Sequence, residues 1–497
     1  MNSEFALLTT DEMAECDRHA IKRGTPGIDL MEAAGRGVAE SAAAIGEGPV
    51  HVLCGPGNNG GDGFVAARIL KEAGRDVRVF LLVDLKALKG DAAIAASTWK
   101  DPVRAVSPHA AQGAGVIIDA LFGAGLSRPI DGTAAETIAA INEADAHVIA
   151  VDVPSGMDGT SGAVLGPTVE ADETVTFFRA KPGHFLYPGR KYCGPITVID
   201  IGIPPDVLTI VRPRTALNGP DVWLDHFPWP EEEGHKYGRG HALIISGDEL
   251  HTGASRLAAM AALRVGAGLV TLAGSRDALR IHAAQVSDIM LEEAADAGAL
   301  AELLKDERKN AVLIGPAAGI STQTKSKSRT VLDARRATVL DADVFSTYAD
   351  APAELFKFTH DGCVLTPHEG EFERVFPGIY GQEGNRLGAA RAGAAASRSV
   401  VLLKGPDTIV AARDGHAVIN INAPPTLATA GSGDVLSGII IGLLAQGMTP
   451  FYAAAAGAWI HGEAANLFGL GLVASDLPEL VPEVLESIFE LAFGTSD

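Results

Sequence analysis

The chain reads as an α/β protein of two domains, each built on a parallel sheet. Three observations predict this. Short apolar runs that fit buried strands alternate with Ala- and Gly-rich helical stretches on both sides of one proline-rich segment. That segment, 204–240, carries Pro204, Pro205, Pro213, Pro220, Pro228 and Pro230 and the acidic run Glu231–Glu233, and the alternation restarts at Ala242. The composition, 47% hydrophobic but only 5% aromatic with 57 Gly, is that of closely packed α/β layers joined by short turns. At 497 residues the chain exceeds one core, and domains over 1–215 and 225–497 are expected.

In the first half, strands are expected at Val50–Cys54, Val77–Val83, Val116–Leu121, Val148–Val153, Thr174–Phe178 and Ile196–Ile201, with a helix over Phe64–Ala73. In the second, Gly240–Gly247 reads as a strand, and Thr252–Ser255 opens an Ala-rich helix. Strands precede Leu340–Asp343 and form Val400–Leu403 and Ile409–Ala412, and an apolar helix covers Val435–Leu444.

Composition also excludes several classes. The four cysteines, Cys16, Cys54, Cys193 and Cys363, lie far apart without CxxC or Cys/His pairing, which argues against structural zinc and a disulfide framework. The first residues, with Glu4, Asp11 and Glu12, lack the basic and apolar regions of a signal peptide. The apolar run around Gly438–Ala445 is far short of the ~20 residues of a membrane span. A cytoplasmic protein is therefore expected. A formal charge of −22 speaks against nucleic-acid binding, so an anionic substrate must be held locally.

The most informative motif is Leu427–Asp434. Gly431, Ser432 and Gly433 let a turn approach a phosphate closely, and their N–H groups sit at the positive end of the following helix. Asp434 then falls on the first helical turn, beside whatever the loop holds. A carboxylate there can take a proton from an attacking hydroxyl in phosphoryl transfer. Upstream, Lys404-Gly-Pro-Asp-Thr408 is a turn between strands that can lie along a nucleotide with one cation near its phosphates. Leu340–Asp343 and Leu365–Gly370 put polar residues at strand C-termini, where open α/β sheets hold ligands.

The first half carries its own loop, Gly55–Gly63. Read loosely, Gly55, Gly57 and Gly60 match a GxGxxG dinucleotide fingerprint, with Asp84 after the next strand. That spacing does not explain Asn58, Asn59, Gly60, Gly61 and Asp62, whose side chains offer oxygens to a hard cation and donors to a phosphate. Two further strand ends converge on this face: Asp119, leading to Gly125, and Asp152, leading to Ser155. Asn59, Asp119 and Ser155 supply oxygens of low total charge, a set suited to a monovalent cation. Taken singly, Asp119 and Asp152 also suit helix capping.

Together these motifs resemble two known families. Asp11–Asp17, Leu30–Gly35, Gly55–Gly63, Asp119–Gly125 and Val151–Gly156 resemble the NAD(P)H-hydrate epimerase domain, with a Rossmann-like three-layer fold. Gly240–Gly247, Thr252–Ser255, Leu340–Asp343, Thr366–Gly370, Lys404–Thr408 and Thr429–Asp434 resemble the ADP-dependent NAD(P)H-hydrate dehydratase domain, of ribokinase-like fold. Their order is that of the bifunctional NAD(P)H-hydrate repair enzymes. One departure is visible: Gly315-Pro-Ala-Ala-Gly319 stands where that family has Gly-Pro-Gly-Leu-Gly.

The resemblance implies that the first domain interconverts the R and S hydrates of NADH and NADPH. The second would phosphorylate the hydroxyl of the S hydrate from ADP, with magnesium, and expel phosphate to restore the double bond, releasing AMP. It implies Asp434 as catalytic base, Ala254, Gly319, His368 and Asp434 facing the hydrate, and Lys404, Gly405, Pro406, Asp407, Thr408 and Gly433 holding the nucleotide. His368 alone would suit a structural role; its strand-end setting points to the ligand. In the first domain, Asn58–Asp62 and Gly123, Ala124, Gly125, Leu126, Ser127, Arg128 and Pro129 would cradle the hydrate. Asn59, Asp119 and Ser155 would hold potassium, and Asp152 is the expected acid/base, with Lys89 as a second candidate. The partners expected are the hydrates NADHX and NADPHX and ADP, with no nucleic acid or membrane, in a homo-oligomer. Two other readings stay open: an ATP-dependent small-molecule kinase of the thiazole-kinase type, and a first domain that only binds or scaffolds.

Overall fold

The computed structural model describes residues 4–46, 48–126, 128–230, 233 and 235–494. Ser127, expected in the hydrate cradle, and Glu231 and Glu232 of the acidic run lie outside the described residues. The chain divides into two compact units, 2–216 and 217–497.

The strands of the first unit are β1 (Ala6–Leu7), β2 (Val50–Cys54), β3 (Val77–Leu81), β4 (Val103–Ala105), β5 (Val116–Ala120), β6 (His147–Val151), β7 (Glu173–Phe177), β8 (Ile196–Ile199) and β9 (Thr215–Leu217). Strands β2–β8 form a seven-stranded sheet ordered β4-β3-β2-β5-β6-β7-β8, parallel throughout. β1 pairs antiparallel with β9 through Ala6–Ala216 and Leu7–Thr215. β2 and β5 are buried throughout and, His51 and Asp119 apart, apolar, as central parallel strands covered on both faces are. Helices α1 (Thr10–Lys22), α2 (Gly27–Ala44) and α3 (Asn58–Glu72) pack one core with the sheet, and α4 (Gly90–Thr98) adds Ala95 and Ala96 to it. α5 (Gly132–Asn142) packs a second cluster around Ile117, Leu121 and Ile138. The chain order reverses between β2 and β5, so the loops after these strands flank a crevice.

The second unit contains β10 (His241–Ile245), β11 (Leu269–Gly274), β12 (Met290–Glu293), β13 (Ala311–Ile314), β14 (Ala337–Leu340), β15 (Cys363–Leu365), β16 (Val400–Leu403), β17 (Thr408–Ala411) and β18 (Ala417–Asn420). They run in the order β18-β17-β16-β15-β14-β13-β10-β11-β12. Pairing is parallel from β16 to β12, and β16, β17 and β18 are antiparallel. Here the order reverses between β10 and β13. The helix Ser432–Ala445 is buried from Val435 onward and packs on the helix Gly253–Arg264. The approach is so close that a Cβ on Gly438 would lie 2.3 Å from the Ala258 carbonyl oxygen. No helix among the described residues is long and apolar enough to cross a membrane.

Candidate active sites

In the first unit, the loops after β2, β5 and β6 and the helices α1 and α2 enclose a cavity of about 570 Å³. Of the expected residues, Asn58, Asn59, Asp62, Gly123, Ala124, Gly125, Leu126, Arg128 and Asp152 line it. Gly60 and Gly61 lie behind this wall. A Cβ on Gly60 would meet the Gly55 carbonyl oxygen at 2.1 Å, and one on Gly61 would meet Met31 at 2.6 Å, so both are glycines of close packing. Pro129 is exposed and does not line the cavity. Lys89 is exposed and outside the lining, two residues before Asp91, which lines it. Asp84 caps the turn at Leu85–Ala87 by accepting the Lys86 N–H at 2.9 Å, a local role that accounts for it without a ribose.

Asp152 sits at the end of β6 with φ 67°, a conformation that costs a non-glycine residue of order 1–3 kcal/mol and persists only where its surroundings fix it. They do. Its Oδ1 accepts from Lys181 Nζ and from Thr176 Oγ1 at 3.0 Å, and its Oδ2 accepts the Ala124 N–H at 3.3 Å. Lys181 is 1% exposed. His184 ties the two backbones together. Its Nδ1 accepts the Lys181 N–H at 3.1 Å, so Nε2 carries the proton and donates to the Asp152 carbonyl at 2.9 Å. Burial, then the Lys181 charge, pushes His184 down to about 4, which keeps the ring neutral. Burial works to raise the Asp152 carboxyl, but Lys181, His184 and Thr176 outweigh it and hold it below the ordinary value.

Lys181 and His184 went unread in the sequence, although Lys181-Pro-Gly-His184 follows the end of β7 just as the other site motifs follow β2, β5 and β6. Three further carboxyl residues line the cavity, Asp17, Asp62 and Asp91. Asp17, on α1, is raised to about 6 by burial, with Lys181 acting against it and Asp152 adding to it. Asp62, on α3, is raised well above the ordinary value by burial, then by Asp152 and Asp17.

Asp119 and Ser155 meet behind the loop after β5. Ser155 donates its Oγ–H to Asp119 Oδ1 at 2.7 Å and its N–H to Oδ2 at 2.8 Å, while Ser155 Oγ accepts the Phe122 N–H at 2.8 Å. Asp119 is fully buried, and burial raises its carboxyl to about 6 despite these donors. No Lys or Arg pairs with it among the described residues. Asn59 Nδ2 is buried without a hydrogen-bond partner, and Asn59 Oδ1 lies 2.9 Å from where a Gly123 Cβ would stand. A buried carboxylate without a cation, in the same loop cluster as the Asn59 amide oxygen and the Ser155 hydroxyl, is an oxygen set that fits a bound monovalent cation; the unpartnered Asn59 Nδ2 is a donor and does not bear on it.

In the second unit, Gly431 caps the helix Ser432–Ala445 at φ 89°, where a Cβ would also meet Leu257 at 2.9 Å. Gly433 opens onto one neighbour: a Cβ there would find only Lys404 Nζ, at 3.6 Å. Lys404 Nζ donates to Asp341 Oδ1 at 2.9 Å and lies 3.7 Å from Glu371 Oε2, and Ser437 Oγ donates to Asp341 Oδ2 at 2.7 Å. Burial opposes its charge, but Asp341 and Glu371 prevail and keep the ammonium protonated. Asp434, a turn earlier on the Ser437 helix, is raised to about 6 by burial and by Asp341, against the pull of Lys404. This places a carboxylate near neutrality, a cation and a glycine cradle at one helix N-terminus.

The Lys404–Thr408 turn is fixed from below. Thr408 Oγ1 donates to the Gly405 carbonyl at 2.8 Å and accepts the Gly405 N–H at 3.2 Å. Arg386 donates to the Lys404 carbonyl at 3.1 Å and pairs with Asp407 at 2.9 Å. Asp407, expected to contact nucleotide, is fully buried with its carboxylate in this pair, so its side chain supports the turn. His368 caps the helix Glu369–Val375: its Nδ1 accepts the Gly370 N–H at 3.0 Å, leaving the ring half exposed. It bridges to Lys404, whose N–H donates to the Pro367 carbonyl at 2.9 Å, so the two loops are neighbours.

Gly319 is exposed, and its N–H donates to Asp343 at 2.8 Å. Ala254 lies partly exposed at the start of the helix Gly253–Arg264. Ala317, at the position of the family's middle glycine, keeps φ 53°, so the turn is preserved at a cost of about 1–2 kcal/mol. Asp341 falls within the Leu340–Asp343 strand end read as a ligand position, whereas Glu371, Ser437 and Arg386 were not singled out in the sequence. These three act through another residue of the site, and no local pattern marks such roles.

Comparison with known proteins gives these two sites a common setting. Residues 242–485 match the NAD(P)H-hydrate dehydratase family, and residues 27–183 match the family described as YjeF-related protein N-terminus. The chain is 36% identical to the bifunctional NAD(P)H-hydrate repair enzyme Nnr of Moorella thermoacetica, over 97% of each chain. It is also 36% identical to the enzyme of that name from Coxiella burnetii, over 95% of this chain and 97% of that one. A solved structure, the ADP/ATP-dependent NAD(P)H-hydrate dehydratase of Bacillus subtilis co-crystallised with ATP/Mg2+, is 27% identical over 52% of this chain and 94% of its own, with a TM-score of 0.46. With whole-length relatives of one kind, at this identity, the chain belongs to the bifunctional NAD(P)H-hydrate repair enzymes.

Proposed function

We propose that the cavity of the first unit interconverts the R and S hydrates of NADH and NADPH, and that the second unit dehydrates the S hydrate at the expense of ADP. The observation that carries this reading is the Lys404 ammonium beside the open Gly433 cradle, close enough to lower the carboxyl of Asp434 on the same helix turn, within a chain whose full-length relatives are repair enzymes.

Hydroxide leaves an sp³ carbon poorly, and phosphate leaves well. Asp434, ionised above about pH 6, takes the proton of the ring hydroxyl as that oxygen attacks the terminal phosphorus of ADP. The N–H groups at Gly431–Gly433 and the Lys404 ammonium stabilise the charge on the transferring group. Phosphate then departs with the electron pair of the C–O bond, the neighbouring ring carbon gives up a proton to solvent and its C–H pair forms the double bond, leaving AMP. Lys404–Thr408 and Gly433 hold the nucleotide through the turn's backbone, and Ala254, Gly319 and His368 face the hydrate. Magnesium, bound with ADP, would neutralise phosphate charge.

In the first unit, Asn58, Asn59, Asp62, Gly123, Ala124, Gly125, Leu126, Arg128 and Asp152 contact the hydrate, with Gly60 and Gly61 packing the first loop behind them. Potassium would be held by Asn59, Asp119 and Ser155, where it would offset the buried Asp119 charge and fix the loops after β2 and β5. A cytoplasmic location and a homo-oligomeric assembly belong to the same reading; light scattering tests the latter.

The experiment follows the products. Incubating the hydrates with the chain and ADP should restore reduced-nicotinamide absorbance with one AMP and one phosphate per molecule recovered. Accumulation of a stable phosphorylated product instead would mark a kinase and refute the dehydratase reading.

A further inference from the structure

Six charged residues line the first unit's cavity, Asp17, Asp62, Asp91, Arg128, Asp152 and Lys181, and four of them, Asp17, Asp62, Asp152 and Lys181, act on one another. Asp152 and Lys181 are committed to each other. The ammonium also donates to Thr176 Oγ1 at 2.7 Å, and the carboxylate further holds Thr176 and the Ala124 N–H. Asp152 is therefore a fixed counter-charge and a poor proton carrier.

Asp62 is the opposite case. It is 8% exposed, yet among the described residues its carboxyl has no hydrogen bond and no ion pair. Lys181, the cation that acts on it, is already paired with Asp152, and the Asp17 and Asp152 charges face the Asp62 carboxyl. A carboxyl taken out of water, without donors and beside like charge, keeps its proton. Asp17, from a different helix, is less buried and ionises more readily. The cavity thus holds an acid and a carboxylate on two walls.

Hydration of the dihydronicotinamide enamine puts the hydroxyl on the carbon bonded to the ring nitrogen. That C–O bond breaks once the oxygen is protonated, because the nitrogen lone pair can replace it.

We propose that Asp62 is the proton donor of the epimerisation and Asp17 its proton acceptor. The Asp62 proton moves to the ring hydroxyl, and the C–O bond breaks with its electron pair leaving on water. The nitrogen lone pair forms the C=N bond of an iminium ion. Water adds to the opposite face, the C=N electrons return to nitrogen, and the surplus proton passes to Asp17. The two carboxyls then hold the protonation states needed for the reverse direction. No oxidant or reductant takes part. This assignment rests on reading the cavity as the epimerase site.

The test uses the full-length chain and the purified R hydrate in ¹⁸O-labelled water. The wild-type chain should convert R to S with one labelled oxygen gained per inversion. Asp62→Asn should slow inversion at least ~100-fold, while hydrate still raises the melting temperature and ADP-dependent dehydration of S hydrate is unchanged. Asp17→Asn should slow it comparably, and carries the test should the first variant fail to fold. Inversion at the wild-type rate in either variant overturns the proposal, as does inversion without label. Loss of hydrate binding together with inversion in Asp62→Asn makes it a binding residue and also overturns it. If the wild-type chain neither binds nor inverts the hydrate, the cavity reading itself fails.

Discussion

Asp434 shows how a few neighbours tune one residue for its task. Burial and Asp341 raise its carboxyl to about 6, while Lys404 limits the rise. A base works when ionised, so dehydration should be flat above about pH 7 and fall tenfold per unit as pH drops below about 6. A pH–rate profile on S hydrate with saturating ADP checks this; a profile flat to pH 4 would remove Asp434 as the base. Asp434→Asn keeps the shape of the side chain and should cost at least ~100-fold in dehydration, with epimerisation unchanged. In the first unit, Asp119→Ala should abolish epimerisation and the electron density of potassium while sparing dehydration of S hydrate. Water alone at that position, in crystals of the wild-type chain grown with potassium, would contradict the cation assignment.

Elements carry the sites by packing, and this decides what a sequence can disclose. The helix expected over Phe64–Ala73 begins at Asn58. Gly60, Gly61 and Gly63 read as loop residues, but they are helical glycines of close approach; a Cβ on Gly63 would lie 2.7 Å from Ala120. The same logic holds in the second unit at Gly438, so Gly438→Ala should destabilise that unit by about 1–3 kcal/mol. A shift in the denaturation midpoint measures it, and an unchanged midpoint would mean the two helices separate freely. Strand ends were legible because apolar runs terminate in Gly, Asp and Ser, and the strand–helix alternation follows from composition. Lys181–Asp152, 29 residues apart, and Lys404–Asp341, 63 apart, were not, because an ion pair between strand ends depends on strand order, which local pattern does not encode. Asp84 shows the converse: its spacing imitates a dinucleotide fingerprint, while its carboxylate only caps a turn.

At the scale of the molecule, each unit has its own run of parallel strands, its own reversal of strand order and its own loop cluster. Fragments 1–216 and 217–497 should therefore fold separately, the first epimerising and the second dehydrating only the S hydrate. The first boundary keeps Thr215 and Ala216 paired to β1. Soluble, folded fragments that were both inactive would contradict independent sites.

The most direct test of two sequential sites in one chain is complementation between two disabled full-length variants. Asp434→Asn can supply only S hydrate, and Asp119→Ala can only consume it. Given pure R hydrate and ADP, neither variant alone should restore reduced-nicotinamide absorbance faster than the enzyme-free control. Their mixture should restore all of it, at a rate approaching that of the wild-type chain as both concentrations rise. A mixture that stays at the control rate, with each variant still showing its own single activity, would contradict the account.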